Sequence, residues 1–189
     1  MEKRTGRHYQ LRLMTPDDAE DLYQIATEAS NWTYMVRYLS SVKDMESIIE
    51  AACSEYEQGT SFPYTVIERK TGRIRGSTRL YNYSESRRTL ELGSTYFTSS
   101  LQGTGINAET KYLLLQQAFE EIHAIRVQVL TDEKNVPAQR ALERLGAVKE
   151  GVLRNERQLY DGRIRNAVMY SIIAEEWPKI KMQLKWRMG

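Results

Sequence analysis

Leu101-Gln102-Gly103-Thr104-Gly105-Ile106-Asn107-Ala108 joins a strand-like run, Thr89–Phe97, to a helical run over residues 108–122. Its two glycines permit a sharp turn and bring backbone close to a ligand. Successive N–H groups at the start of the next helix point outward and suit phosphate oxygens. Asn107 can double as the N-cap of that helix. The same pattern also serves as a plain structural turn, so the segment leaves both readings open. It is not a Walker A loop, because no Gly-Lys-Ser/Thr follows. It is not the dinucleotide fingerprint, because the third glycine is missing.

Working outward, the helix after the loop carries Tyr112, Leu115, Ala118, Phe119 and Ile122 as a stripe. Residues 126–130 alternate as a strand. Residues 135–145 form a helix burying Ala138, Ala141, Leu142 and Leu145, and Gly146 stands where a helix end wants a left-handed residue. A hairpin joins Val148–Gln158 to residues 166–173 through Asp161-Gly162. Residues 174–187 read as a surface helix.

On the N-terminal side, residues 9–14 are a strand that stops at Thr15-Pro16-Asp17-Asp18, a capped helix start. The first helix buries Ala19, Leu22, Tyr23 and Ala26. A loop with Trp32, Tyr34 and Tyr38 leads to a second helix, capped at Ser41, with Met45, Ile48, Ile49, Ala52 and Tyr56 on one side. Phe62–Glu68, residues 74–83 and Thr89–Phe97 form a meander. The order predicts a mixed α/β, α+β-like fold with one sheet and flanking helices. No repeat or linker interrupts the 189 residues, so one domain is expected, with a core over about residues 9–177.

Composition excludes several classes. The 27 basic and 25 acidic side chains leave a net charge of +2, too little to predict specific nucleic-acid binding. One cysteine, Cys53, rules out an internal disulfide and gives no sign of secretion. It lies on the apolar side of the second helix and reads as an inert core residue. No apolar run approaches the ~20 residues of a membrane helix. A cytoplasmic protein without a membrane partner or bound metal is the default expectation.

Several blocks, in order and spacing, resemble the GNAT superfamily of N-acetyltransferases. Gln102-Gly103-Thr104-Gly105-Ile106-Asn107 is similar to its Q/R-x-x-G-x-G/A loop. Leu90 to Phe97 looks like the central strand before that loop. Asn135 to Ala147 resembles the Asn-led helix that ends in a Gly-hydrophobic step. Glu150-Gly151-Val152-Leu153-Arg154 and Met169-Tyr170-Ser171-Ile172 resemble the terminal strands of the ribosomal-protein, RimJ/RimL-like branch.

The resemblance implies a GNAT fold, with a mostly antiparallel mixed sheet splayed at the cofactor site. It implies acetyl-CoA as co-substrate. The strand ending at Tyr96, Phe97 and Thr98 would take the pantetheine arm through its backbone. Gln102, Gly103, Thr104, Gly105, Ile106 and Asn107 would hold the pyrophosphate, and Asn135 would reach the arm from the opposite side. There are departures. Asn107 replaces the last Gly/Ala of the loop. Leu142 stands where many relatives have a tyrosine that protonates the thiolate, and Ala138 where RimL-like enzymes often have a serine.

Acetyl transfer to an amine needs a neutral amine, a stabilised oxyanion and a departing thiolate. A backbone N–H near Phe97 or Thr98 would serve the oxyanion. Glu91, on the strand leading into the loop, is the candidate base, acting through water. Its alternative is to face solvent or to pair with Arg79 or Arg88 across the sheet. The two histidines rank behind it as bases: His8 lies near the N-terminus, and His123 follows a helix, where it suits a capping or surface role. Tyr170 is a weaker candidate for the acid, with water as its rival. Trp32, Tyr34, Tyr81 and Tyr83 are candidates for the acceptor pocket, Tyr81 and Tyr83 because period two puts them on one face. Each has core or sheet cover as its alternative role. Arg73, Arg75, Arg79, Arg87 and Arg88 make the sheet edge basic, for an acidic protein or for solvent.

The expected function is N-acetyl transfer from acetyl-CoA to an amine, with a protein N-terminus as the lead acceptor. A small amine (antibiotic, polyamine or amino acid) is the alternative, as is a CoA-binding module without turnover. Either a monomer or a homodimer is compatible with the sequence.

Overall fold

The computed structural model describes residues 3–28, 32–101 and 103–188. Its strands are β1 (Lys3–Thr5), β2 (Tyr9–Leu13), β3 (Phe62–Glu68), β4 (Ile74–Ser84), β5 (Thr89–Phe97), β6 (Arg126–Asp132), β7 (Val148–Gln158) and β8 (Ile164–Ile173). The helices are α1 (Ala19–Ala26), α2 (Val42–Glu57), α3 (Ile106–Gln116), α4 (Val136–Leu145) and α5 (Trp177–Met188). The strands make one sheet in the order β1-β2-β3-β4-β5-β6-β8-β7. Every neighbouring pair is antiparallel except β5 and β6, which run parallel. The order of elements predicts a mixed sheet, and its mostly antiparallel character is what the resemblance implies.

Two apolar layers cover the sheet. On one side α3 and α5 pack over Leu90, Leu92 and Val127. On the other, α1 and α2 bury Leu22, Ile25, Met45 and Ile49 against Tyr96. The caps that place α1 and α2 were legible. The Asp18 carboxylate accepts from the Thr15 N–H at 2.9 Å and from the Thr65 hydroxyl at 2.7 Å. The Ser41 hydroxyl accepts from the Asp44 N–H, completing a capping box.

Three features depart from expectation. β1 is an additional strand, too short and polar to show an apolar alternation; Arg4 ties it to Glu121 and Tyr64. The helix after the loop changes to a π-helical turn over Gln117–Glu121, which sets Phe119 on the ring of Trp177 at 5.8 Å. α5 is no mere surface helix, because Trp177, Ile180 and Leu184 are buried along one stripe against α3. Among the described residues, no helix is long and apolar enough to cross a membrane.

Candidate active site

β5 and β6 pair only from Thr89↔Arg126 to Glu91↔Gln128. Beyond that point β5 stays with β4 as far as Phe97, and β6 stays with β8 as far as Asp132. The two strands therefore diverge and open a cleft in the middle of the sheet. Its cause is a bulge in β5: Ser94 is the extra residue in the β4–β5 register and has φ +48°. A left-handed residue in a central strand is a local distortion, and here it starts the splay.

The glycine loop lies at the wide end of this cleft. Gly103 has φ +79°, which a side chain would strain, and a Cβ built on Gly103 or Gly105 meets nothing within 4 Å. The backbone there is open for a ligand to approach. α3 starts one residue past Gly105, and no side chain caps it. This corrects the expectation for Asn107, which lies in the first turn rather than at the N-cap. Thr104 folds back instead: its hydroxyl donates to the Leu101 carbonyl at 2.6 Å and accepts from the Ile106 N–H at a long 3.4 Å. The first turn thus keeps N–H groups and the positive end of the dipole for an anion. Gln102 lies outside the described residues.

Across the cleft, Asn135 caps α4, its Oδ1 accepting from the Ala138 N–H at 3.1 Å. That leaves Nδ2 as a donor. Leu142 is buried in the core. Tyr96 and Phe97 are buried, Tyr96 against Met45 and Trp32. The Thr98 N–H donates to the Arg75 carbonyl at 2.9 Å, so it is committed within the sheet and unsuited to an oxyanion. The Thr98 hydroxyl binds Glu28 at 2.8 Å.

Glu91 sits at the seam where the strands part. It accepts from Asn82 Nδ2 at 3.0 Å and from Gln128 Nε2 at 3.1 Å. The alternative ion pairs do not form: Arg79 binds Glu55 and Ser94, and Arg88 binds the His123 carbonyl. Tyr81 stands opposite Glu91, and burial together with that carboxylate pushes its hydroxyl up to about 12. The Arg79 guanidinium covers the Tyr81 ring at 4.8 Å. Tyr83 does not join them. Asn82 has φ +51°, the register shifts there, and Tyr83 turns to the opposite side against Phe62.

Tyr170 is fully buried, and its hydroxyl donates to Glu143 at 2.9 Å. Burial and that carboxylate raise it to about 12, which makes it a reluctant acid.

On the α1/α2 face, Trp32, Met35, Met45, Ile48, Ser94 and Tyr96 wall a cavity of about 60 Å³ that rests on the bulged part of β5. Trp32 Nε1 donates to the Arg37 carbonyl, and the Tyr34 hydroxyl donates to the Lys134 carbonyl. Tyr34 thus bridges the loop after α1 to the segment entering α4. Tyr38 meets Tyr160 of the β7–β8 turn edge to face at 5.7 Å.

One buried group was missed from the sequence. Lys111 of α3 is 5 % exposed. Its Nζ donates to Thr95 Oγ1 at 2.6 Å and lies 3.4 Å from Thr78 Oγ1. Burial pushes its ammonium down to about 7. The available signal was position: Lys111, Leu114, Leu115 and Ala118 fall on one helical stripe, and the last three are buried.

A splayed parallel pair, a helix start beside open glycines and a flanking pocket can hold a phosphate-bearing ligand next to a second substrate. A family model described as the acetyltransferase (GNAT) domain matches residues 8–148, and the chain belongs to this family. A solved structure of a "putative acetyltransferase" from T. thermophilus is 32% identical, with a TM-score of 0.89, over 100% of this chain and 98% of that one. The Bacillus subtilis (strain 168) protein named "Putative ribosomal N-acetyltransferase YdaF" is 26% identical over 92% of this chain and 96% of its own. A "putative ribosomal-protein-serine acetyltransferase from Vibrio cholerae" is 26% identical, with a TM-score of 0.81, over 92% of this chain and 99% of that one. The protein is an N-acetyltransferase, and its relatives are those of the RimJ/RimL-like branch.

Proposed function

We propose that the protein transfers the acetyl group of acetyl-CoA to the α-amine of a protein N-terminus. The observation that carries the cofactor assignment is the uncapped start of α3 beside the open glycines, at the mouth of the β5–β6 cleft. The N–H groups of Gly103, Gly105 and Asn107 receive the pyrophosphate, those of Thr104 and Ile106 being turned to the Leu101 carbonyl and the Thr104 hydroxyl. The edge of β5 that β6 leaves beyond Glu91 pairs with the amides of the pantetheine arm, as an added strand would. Asn135 Nδ2 donates from the other side. The protein-N-terminus assignment is supported by the ribosomal-protein names of the relatives and by the pocket beside the bulge.

In the reaction, the amine nitrogen attacks the thioester carbonyl carbon. A C–N bond forms and the C–S bond breaks. The amine's proton passes through water to Glu91, and the thiolate takes a proton from solvent. Leu142 and Ala138 offer no acid, and a thiol is acidic enough to leave near neutral pH. Most of the acceleration comes from holding an already activated thioester beside the amine.

Acetyl-CoA and CoA should raise the melting temperature, because they bind the native state alone. Intact-mass detection should show a single acetyl group added to N-terminal peptides. No thermal shift at saturating acetyl-CoA would overturn the cofactor reading. Acetylation of small amines with all peptides inert would overturn the acceptor reading.

A further inference from the structure

From the cavity on the α1/α2 face, we infer that the acceptor carries a large apolar side chain beside its amine. This rests on the N-terminal acetylation proposed above and narrows it to N-termini that begin with leucine, isoleucine or methionine. The walls are almost wholly apolar: Met14, Trp32, Met35, Met45, Ile48 and Tyr96. The cavity rests against Ser94, the residue whose bulge opens the cleft. An occupant is thereby held next to the strand where acyl transfer takes place.

Size and charge narrow the occupant further. The cavity of about 60 Å³ has room for a long or branched aliphatic side chain, and the side chains of alanine and serine would leave most of it unfilled. Among the described residues, the charged side chains lining the cavity are Arg37 and Arg79, and no carboxylate lines it. Arg79 is held by Glu55 at 3.2 Å, with Arg37 3.9 Å from the same carboxylate. A polyamine or a polycationic antibiotic would bring its charges to two guanidiniums and apolar walls, which disfavours it. Three methionines among the walls let the pocket adapt to branched and unbranched chains alike. The relative from Vibrio cholerae is named for serine, and the inferred preference of this chain differs from that name through its apolar walls.

The test is a peptide series that differs only in its first residue: Leu, Met, Ala, Ser, Lys and Asp. The matching amino-acid amides and putrescine run in parallel. The expected result is a kcat/KM for Leu and Met at least about tenfold above Ser, Lys and Asp. Ala52→Leu fills the cavity from α2 and should move the preference toward Ala and Ser, with the KM for acetyl-CoA unchanged. A wild-type preference for Ser, Ala or Lys would overturn the inference, as would no change of preference in Ala52→Leu with CoA binding intact. Inert peptides beside amides that keep the apolar order would sink the N-terminal acceptor alone. Putrescine as the best substrate would sink both.

Discussion

The helix after β5 and the helix after β6 both begin at the mouth of the cleft, but their first turns differ. α4 is closed by its own sequence: Asn135 caps it and Pro137 sits in its first turn. Behind it, Asp132 accepts from Arg163 at 2.8 Å and from the Lys134 N–H at 2.9 Å, and Tyr170 is tied to Glu143. α3 has no side-chain cap. Its strand carries a left-handed Ser94, and its own face buries Lys111 among threonine hydroxyls. One wall has satisfied its polar groups internally and acts as a frame. The other keeps N–H groups at the start of α3, a bulge in its strand and a buried amine held by threonine hydroxyls, strain and burial of the kind that a ligand site tolerates.

The comparison predicts that substitutions on the β5/α3 wall change turnover or cofactor affinity, while those on the β6/α4 wall mainly change stability. The largest effect is expected at the seam. Glu91→Gln should cut kcat by roughly 10²-fold with acetyl-CoA affinity retained. Near-wild-type turnover across pH would remove Glu91 from the chemistry. Next, Gly105→Val should weaken CoA binding by about tenfold or more, because a branched side chain would occupy the open approach to the backbone. Calorimetric titration with CoA reads this directly, and unchanged affinity would show that α3 is as structural as α4.

Lys111→Met should behave oppositely to an ordinary core substitution. The folded-state ammonium titrates at about 7, below the 10.5 of a free lysine. Between those values the unfolded chain binds the extra proton, so this group makes stability rise with pH, by at most about 1.4 kcal/mol per unit. Below pH 7 the full burial penalty applies. The methionine variant should therefore be more stable at pH 7, by about 1 kcal/mol or more, and lose that slope. Chemical denaturation at pH 7 and pH 9 measures both; a destabilised variant at pH 7 would mean that the threonine contacts outweigh burial.

Two smaller effects test the framing wall. Asn135→Asp keeps the cap but removes the Nδ2 donor, so stability should hold while acetyl-CoA affinity falls a few-fold. Equal affinity would confine Asn135 to capping. Tyr170→Phe should cost about 1 kcal/mol or less and leave kcat unchanged, since its hydroxyl serves an exposed carboxylate. A collapse of kcat in a folded variant would make Tyr170 the proton donor and break the comparison.

Local patterns reach a long way in this chain. The apolar periods of α1, α2 and α4, the boxes at Thr15 and Ser41, and Gly146 with φ +101° at the end of α4 all follow from neighbours in sequence. The same holds for β5 and the glycine loop, whose spacing to the next helix marks a candidate phosphate site. These signals are short-range, because capping and periodicity involve residues within a turn or two of each other.

Tertiary structure alone decided the rest. Period two put Tyr81 and Tyr83 together, but the left-handed Asn82 separates them. The partners of Glu91 come from β4 and β6, Asn82 and Gln128, and the sequence alone suggests only solvent, Arg79 or Arg88. Lys111 acquires its depressed pKa from burial against Thr78 and Thr95, residues distant in sequence. The pocket draws walls from the end of β2, the loop before α2, α2 itself, β4 and β5. Exposure, hydrogen-bond partners and cavity shape depend on which distant segments the sheet order brings together, and no local pattern encodes them.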